Sequence, residues 1–252
     1  MIHIAGLSKS YDTKPVLDSV DLRIEAGSCY GLLGNNGAGK STLINILLDL
    51  VPPSRGFVEI DNLRYPADTL AIRARMGVLP EKDPIHPELT AYEQLQMSAM
   101  LYGIPVSERD SRIRSLFGYF FDSEEDLDKR CGSFSTGMRK KVGIIAALLH
   151  KPDVVILDEP FSGLDPGSAI ILIDFLKNYL NARRAALISS HNLNYVEQLA
   201  THIVVLHERK FLYNGSKDEF LQRGSGLIDR TLFDMLYQTP RSSEKLGWLL
   251  QD

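Results

Sequence analysis

The stretch SCYGLLGNNGAGKSTLINILLDL, residues 28 to 50, leaves the chain few folds to choose from. An apolar strand pattern runs into a glycine-rich turn, and an apolar helical pattern leaves it. Within it, GNNGAGKST carries the spacing G-x-x-x-x-G-K-[ST] at Gly34, Gly39, Lys40 and Ser41. Backbone N–H groups of such a loop can crowd around an anion, Lys40 brings positive charge to the outer phosphates, and the Ser41 hydroxyl can ligate magnesium. The amino terminus of the following helix adds partial positive charge. Asn36, Gly37, Gly39, Lys40, Ser41 and Thr42 are therefore the candidate phosphate-binding residues of an α/β fold.

VVILDEP, residues 154 to 160, supplies the complementary half. Its apolar residues carry Asp158 to the carboxyl edge of a parallel sheet, where open α/β sheets bind ligands. Asp158 can hold a magnesium water shell, and Glu159 beside it can polarise an attacking water. RAALISS and HIVVLHE are further β-branched runs, suited to a parallel sheet buried on both faces. IHIAGL and VLDSVDLRIEAG alternate like edge strands, with Val16, Val20, Leu22 and Ile24 mostly on one face, while FVEIDNL and RMGVLP read as two more strands.

From about Thr90 to Leu149 the pattern turns helical. Thr90 and Glu93 form a capping box, and Ser107 is a second expected cap. Met97, Met100 and Leu101 read as helix packing. After Gly224, LIDRTLFDMLYQ and SEKLGWLLQD suggest two amphipathic helices.

Composition narrows the partners. A chain of 252 residues with a net charge of -4 and 24% charged residues has no overall basic field, so nucleic acid is not an expected partner. The one basic run, Arg139, Lys140 and Lys141, reads as a solvated helix face. The histidines show no HxxxH spacing with a nearby glutamate, which argues against a metal held by protein ligands alone. The longest apolar runs, VGIIAALL and AIILIDFL, are too short to span a bilayer, and the amino terminus lacks a signal-peptide pattern. With two cysteines far apart, the expected location is the cytoplasm, peripheral on the cytoplasmic face of a membrane if a partner holds the chain there.

FSTGM opening a helix, then KPDVVILDEP, then SGLDP, then LISSH form an ordered series with the phosphate loop. That series resembles the nucleotide-binding subunit of ATP-binding cassette (ABC) transporters, from Ile2 to about Phe220. The resemblance implies a P-loop NTPase fold of the ABC ATPase type, with a mixed sheet core, an antiparallel β edge and a helical signature subdomain at about residues 88–149. An ATPase domain would occupy residues 1–224, and a helical extension residues 225–252. It further implies ATP and Mg2+ as ligands, ATP hydrolysis, a homodimer or a pair with a similar ATPase, and integral-membrane permease subunits as partners.

Residue by residue, the resemblance makes Tyr11 the aromatic stacked on adenine. Ser135 and Gly137 become the signature-loop contacts to the partner subunit's ATP, and Asp165 the acid of a loop facing that subunit. His191 becomes the switch histidine. Catalysis would rest on Glu159, His191 and Lys40, and the metal on Ser41, Asp158 and Glu81. Glu81 stands where the family usually has glutamine, and that carboxylate occurs in a branch that often exports through a separate membrane chain. Phe134 and Asn35 replace the usual leucine and proline without removing a phosphate ligand. A soluble ABC-type ATPase acting on a ribosome, DNA or a protein complex is the alternative, but such relatives usually carry two cassettes or a long coiled-coil insertion.

Overall fold

The computed structural model describes residues 1–82, 84–224 and 226–237. Among them β1 (Ile2–Tyr11), β2 (Lys14–Ile24), β4 (Arg55–Ile60) and β5 (Leu63–Arg64) form an antiparallel sheet in the order β2-β1-β4-β5. The second sheet takes β3 (Cys29–Leu33), β6 (Met76–Leu79), β7 (Val154–Asp158), β8 (Ala185–Ser189), β9 (His202–His207) and β10 (Lys210–Ser216) in the order β10-β9-β3-β8-β7-β6. Its pairs are parallel except β10 with β9. All residues of β3, β7 and β8 are buried, as their continuous apolar character requires.

The edge sheet departs from simple alternation. Leu17, Val20, Leu22 and Ile24 face the core, whereas Val16 is only half-buried. Ser19 sits at φ 49°, and this left-handed residue adds a step to β2, so that Leu17 and Val20 share a face despite their odd spacing. Val16 is thereby turned away from the core.

The helices are α1 (Lys40–Leu47), α2 (Thr69–Arg73), α3 (Ala91–Leu101), α4 (Val106–Phe120), α5 (Thr136–Leu148), α6 (Pro166–Tyr179), α7 (Leu193–Leu199), α8 (Lys217–Gln222) and α9 (Ile228–Leu236). At α3 the capping box is reciprocal: Glu93 N–H donates to Thr90 Oγ1 at 3.1 Å, and Thr90 N–H donates to Glu93 Oε2 at 2.8 Å. Thr90→Ala is expected to lower the unfolding free energy by about 1 kcal/mol, read from the midpoint of a urea titration. Ser107 is not a cap. α4 starts two residues earlier than that cap would set it, with Pro105 at the cap position and its carbonyl accepting from Glu108 N–H at 2.9 Å, because the fixed φ of proline already sets the entry to the helix.

Two further expectations change. Met100 and Leu101 are 61% and 79% exposed, since α3 ends there and its core face is Ala91, Gln94, Leu95 and Ala99; Met97 is half-buried. Lys140 is buried and its Nζ donates to the Glu81 carbonyl at 3.3 Å, while Arg139 reaches the Phe134 carbonyl at 2.7 Å. Lys141 Nζ lies 5.3 Å from the centre of the Phe121 ring. The basic run is therefore packed against neighbouring loops and rings, not simply solvated. The helix expected over 227–238 is present as α9, and SEKLGWLLQD lies outside the described residues.

Candidate functional site

The phosphate loop is held from behind by the carboxyl end of β9. A Cβ on Gly34 would stand 2.3 Å from the Leu206 carbonyl oxygen, so only glycine lets the loop lie this close to the sheet. Lys40 Nζ folds back to donate to the carbonyls of Gly34 at 2.6 Å and Asn35 at 3.1 Å. Burial pushes its pKa down, against the opposing pull of Glu159, Asp158 and Glu81. The first amides of α1 have no intrahelical acceptors.

Asp158 ends β7 and is buried, accepting a short hydrogen bond from Ser189 Oγ on β8. Desolvation pushes its pKa up, and the Ser189 bond opposes that shift. Glu159 follows at φ 50°, a strained turn fixed by its own N–H donating to the Ser189 carbonyl at 3.0 Å. One carboxylate oxygen, Oε2, accepts from His191 N–H at 3.2 Å and Ser190 Oγ at 3.4 Å. The other, Oε1, is shielded and makes no hydrogen bond, with His191 Nε2 standing 3.5 Å away. Burial raises the Glu159 pKa from its ordinary value, against the opposing pull of the His191 N–H.

These residues share one cavity of about 570 Å³. Asn36, Gly37, Gly39, Lys40, Ser41 and Thr42 line it together with Glu81, Asp158, Glu159, His191 and Val16. Tyr11 is 44% exposed and lies in an adjoining cavity of about 690 Å³ that shares Val16, Asn36 and Gly37 with the first. A triphosphate could thus occupy one cavity and its base the next. The donor set of Ser41, Asp158 and Glu81 is hard oxygen, which fits Mg2+ bound mainly through nucleotide phosphates. Among the described residues no cluster of three His, Cys, Asp or Glu side chains could hold a metal alone.

Ser135, Gly137 and Asp165 stand apart from this cavity. Ser135 caps α5, its Oγ accepting from Met138 N–H at 3.2 Å. Asp165 caps α6, accepting from Ser168 N–H at 2.9 Å and Ser168 Oγ at 2.5 Å, bonds that hold its pKa down. The two loops touch, since a Cβ on Gly137 would lie 2.6 Å from the Gly163 carbonyl oxygen. Gly137→Ala is expected to push them apart and lower ATP turnover by about tenfold or more, with nucleotide affinity of the single chain unchanged in a fluorescent-nucleotide titration.

Ser189 and Ser190, which orient both carboxylates, and Val16 were not legible as site residues. The serines immediately precede His191 in LISSH, and their hydroxyls at a strand end were the available signal.

A family model described as ABC transporter matches residues 17–162. The chain belongs to the ABC transporter family. It is an ATP-binding ATPase subunit of that family. It is 33% identical over 227 residues to the ABC transporter ATP-binding protein NatA of Bacillus subtilis, covering 88% of this chain and 92% of that one. The bacitracin transport ATP-binding protein BcrA of Bacillus licheniformis is 33% identical over 235 residues, covering 93% and 76%. Among solved structures, an ATP-binding subunit of an ABC transporter superposes with a TM-score of 0.87 at 30% identity, over 93% of this chain and 99% of that one. The ABC cassette MJ0796, solved as a post-hydrolysis dimer with ADP and Pi, gives a TM-score of 0.78 at 22% identity over 86% and 98%, a likeness of fold. No helix among the described residues is long and apolar enough to cross a membrane.

Proposed function

We propose that this ABC ATPase works as a head-to-tail pair closed around two MgATP and drives export through a separate integral-membrane permease, at the cytoplasmic face of the membrane. The observation that carries the reading is the division of the site. Lys40, Ser41, Asp158 and Glu159 share one cavity, while Ser135 and Gly137 lie outside it, so a second phosphate grip has no ATP to hold within its own chain. Bacitracin transport and Nod factor export among the relatives' names, together with Glu81 in place of glutamine, support the export direction.

In this reading Tyr11 stacks on adenine, and the loop amides and Lys40 hold the phosphates. Ser41, Asp158 and Glu81 would hold magnesium, which would supply charge neutralisation on the phosphate oxygens. Glu159 accepts the proton of the attacking water, and His191 orients the outer phosphate. Ser135 and Gly137 contact the partner subunit's nucleotide, and Asp165 faces that subunit. Residues 1–224 form the ATPase domain, with the helical subdomain at about 88–149 and an extension over 225–252. Closure would move the permease through its differential affinity for closed and open pairs.

The test is purification of the tagged chain from its native membranes in mild detergent. A multi-span membrane protein in stable ratio is the expected result; recovery of only soluble proteins or ribosomes would overturn the transport assignment.

A further inference from the structure

We infer that α9, through Leu232, is a positioning element for His191. The inference rests on the reading of this chain as an ATPase. His191 and Asn36 line two cavities: the nucleotide cleft, and a smaller one of about 240 Å³ that is also walled by Leu33, Ser190, Leu193 and Leu232. The His191 side chain is 59% exposed, so its ring is not clamped by its immediate neighbours.

The segment carrying it is weakly fixed by its own hydrogen bonds. His191 N–H to Glu159 Oε2 is 3.2 Å, Asn192 N–H to Ser190 Oγ is 3.1 Å, and Val196 N–H to the Asn192 carbonyl is 3.3 Å. α7 has seven residues, and Asn192 makes no side-chain cap bond to it. Such a short helix takes its place from packing rather than from its own propensity.

Part of that packing comes from α9, and part from α6 and the Phe161 ring against Tyr195. Ile228 is buried in one apolar cluster with Val196 of α7 and Leu33, the residue before Gly34, and Leu193 and Leu232 pack against the same cluster. α9 therefore joins the start of the phosphate loop to the segment that carries His191. Leu232 is the member of α9 that also walls the cavity beside the histidine.

The test uses single-turnover MgATP hydrolysis by the full chain, comparing Leu232→Ala alone and in a His191→Ala background. A positioning role gives a fall of about tenfold in rate with MgATP affinity within about twofold of wild type, and no further loss when His191 is already absent. Leu232→Met, which conserves volume, restores the rate. Faster amide hydrogen exchange over residues 190–193 accompanies the alanine variant. An unchanged rate, or the same loss in both backgrounds, would overturn the inference and leave the ATPase reading intact. If Leu232→Ala does not fold, Leu232→Val is read by the same criteria. A folded wild-type chain that never hydrolyses MgATP with its partner present would sink the ATPase reading; exchange over 190–193 then decides this inference, with no change counting against it.

Discussion

Glu159→Gln is expected to cut ATP turnover by about a hundredfold or more and to leave a stable, nucleotide-bound dimer. The geometry fixes how a glutamine must sit. Oε2 is engaged by His191 N–H and Ser190 Oγ, while Oε1 is shielded and has no hydrogen bond. Glutamine has the same shape, but its amide nitrogen cannot accept from His191 N–H. The carbonyl oxygen must take the Oε2 position, so the other arm of the side chain becomes an NH2 group and the basic carboxylate is lost. A neutral amide cannot take a proton from water. Binding groups such as Lys40 and Ser41 are untouched, so nucleotide should accumulate in the closed pair. Light scattering at saturating MgATP checks this, and a monomer alone would count against the pairing. The wild-type rate should also fall as pH drops through the raised pKa of Glu159. Burial raises the Glu159 pKa, and the protonated acid cannot act as a base.

Lys40→Ala is expected to weaken MgATP binding by about 2–5 kcal/mol, or roughly thirtyfold or more in dissociation constant. The ammonium is half-buried and already directed by two backbone carbonyls, so little ordering remains to be done when phosphate arrives. Its loss also removes the positive charge facing Glu159, Asp158 and Glu81. Thermal shift separates binding from folding. Without nucleotide the variant should melt close to wild type, because burial of the charge is itself unfavourable. The rise in Tm that MgATP gives wild type should disappear. Loss of folding in the absence of nucleotide would point instead to a structural role for Lys40.

Features confined to one loop were readable before any fold was known. The phosphate loop from Gly34 to Thr42 works through amides and side chains a few residues apart, and the structure brings Asn36, Gly37, Gly39, Lys40, Ser41 and Thr42 into one cavity. Asp158 and Glu159 were readable because an apolar strand has one exit, its carboxyl edge. Thr90 and Glu93 cap each other within a single helical turn. Ser107 misled because Pro105 competes for the same helix start, and the proline sets the backbone first.

Chain order and local chemistry thus determined the fold class, the phosphate loop and the acidic pair. Contacts between distant segments decided the rest. Ser19 turns Val16 out of the core face, Ser189 and Ser190 hold carboxylates thirty-one residues away, and Lys140 is buried against the Glu81 loop. α9 reaches back to the segment around His191. Hydrogen bonding within a turn is set by backbone geometry that local residues dictate, whereas burial of a side chain depends on which surface is folded against it.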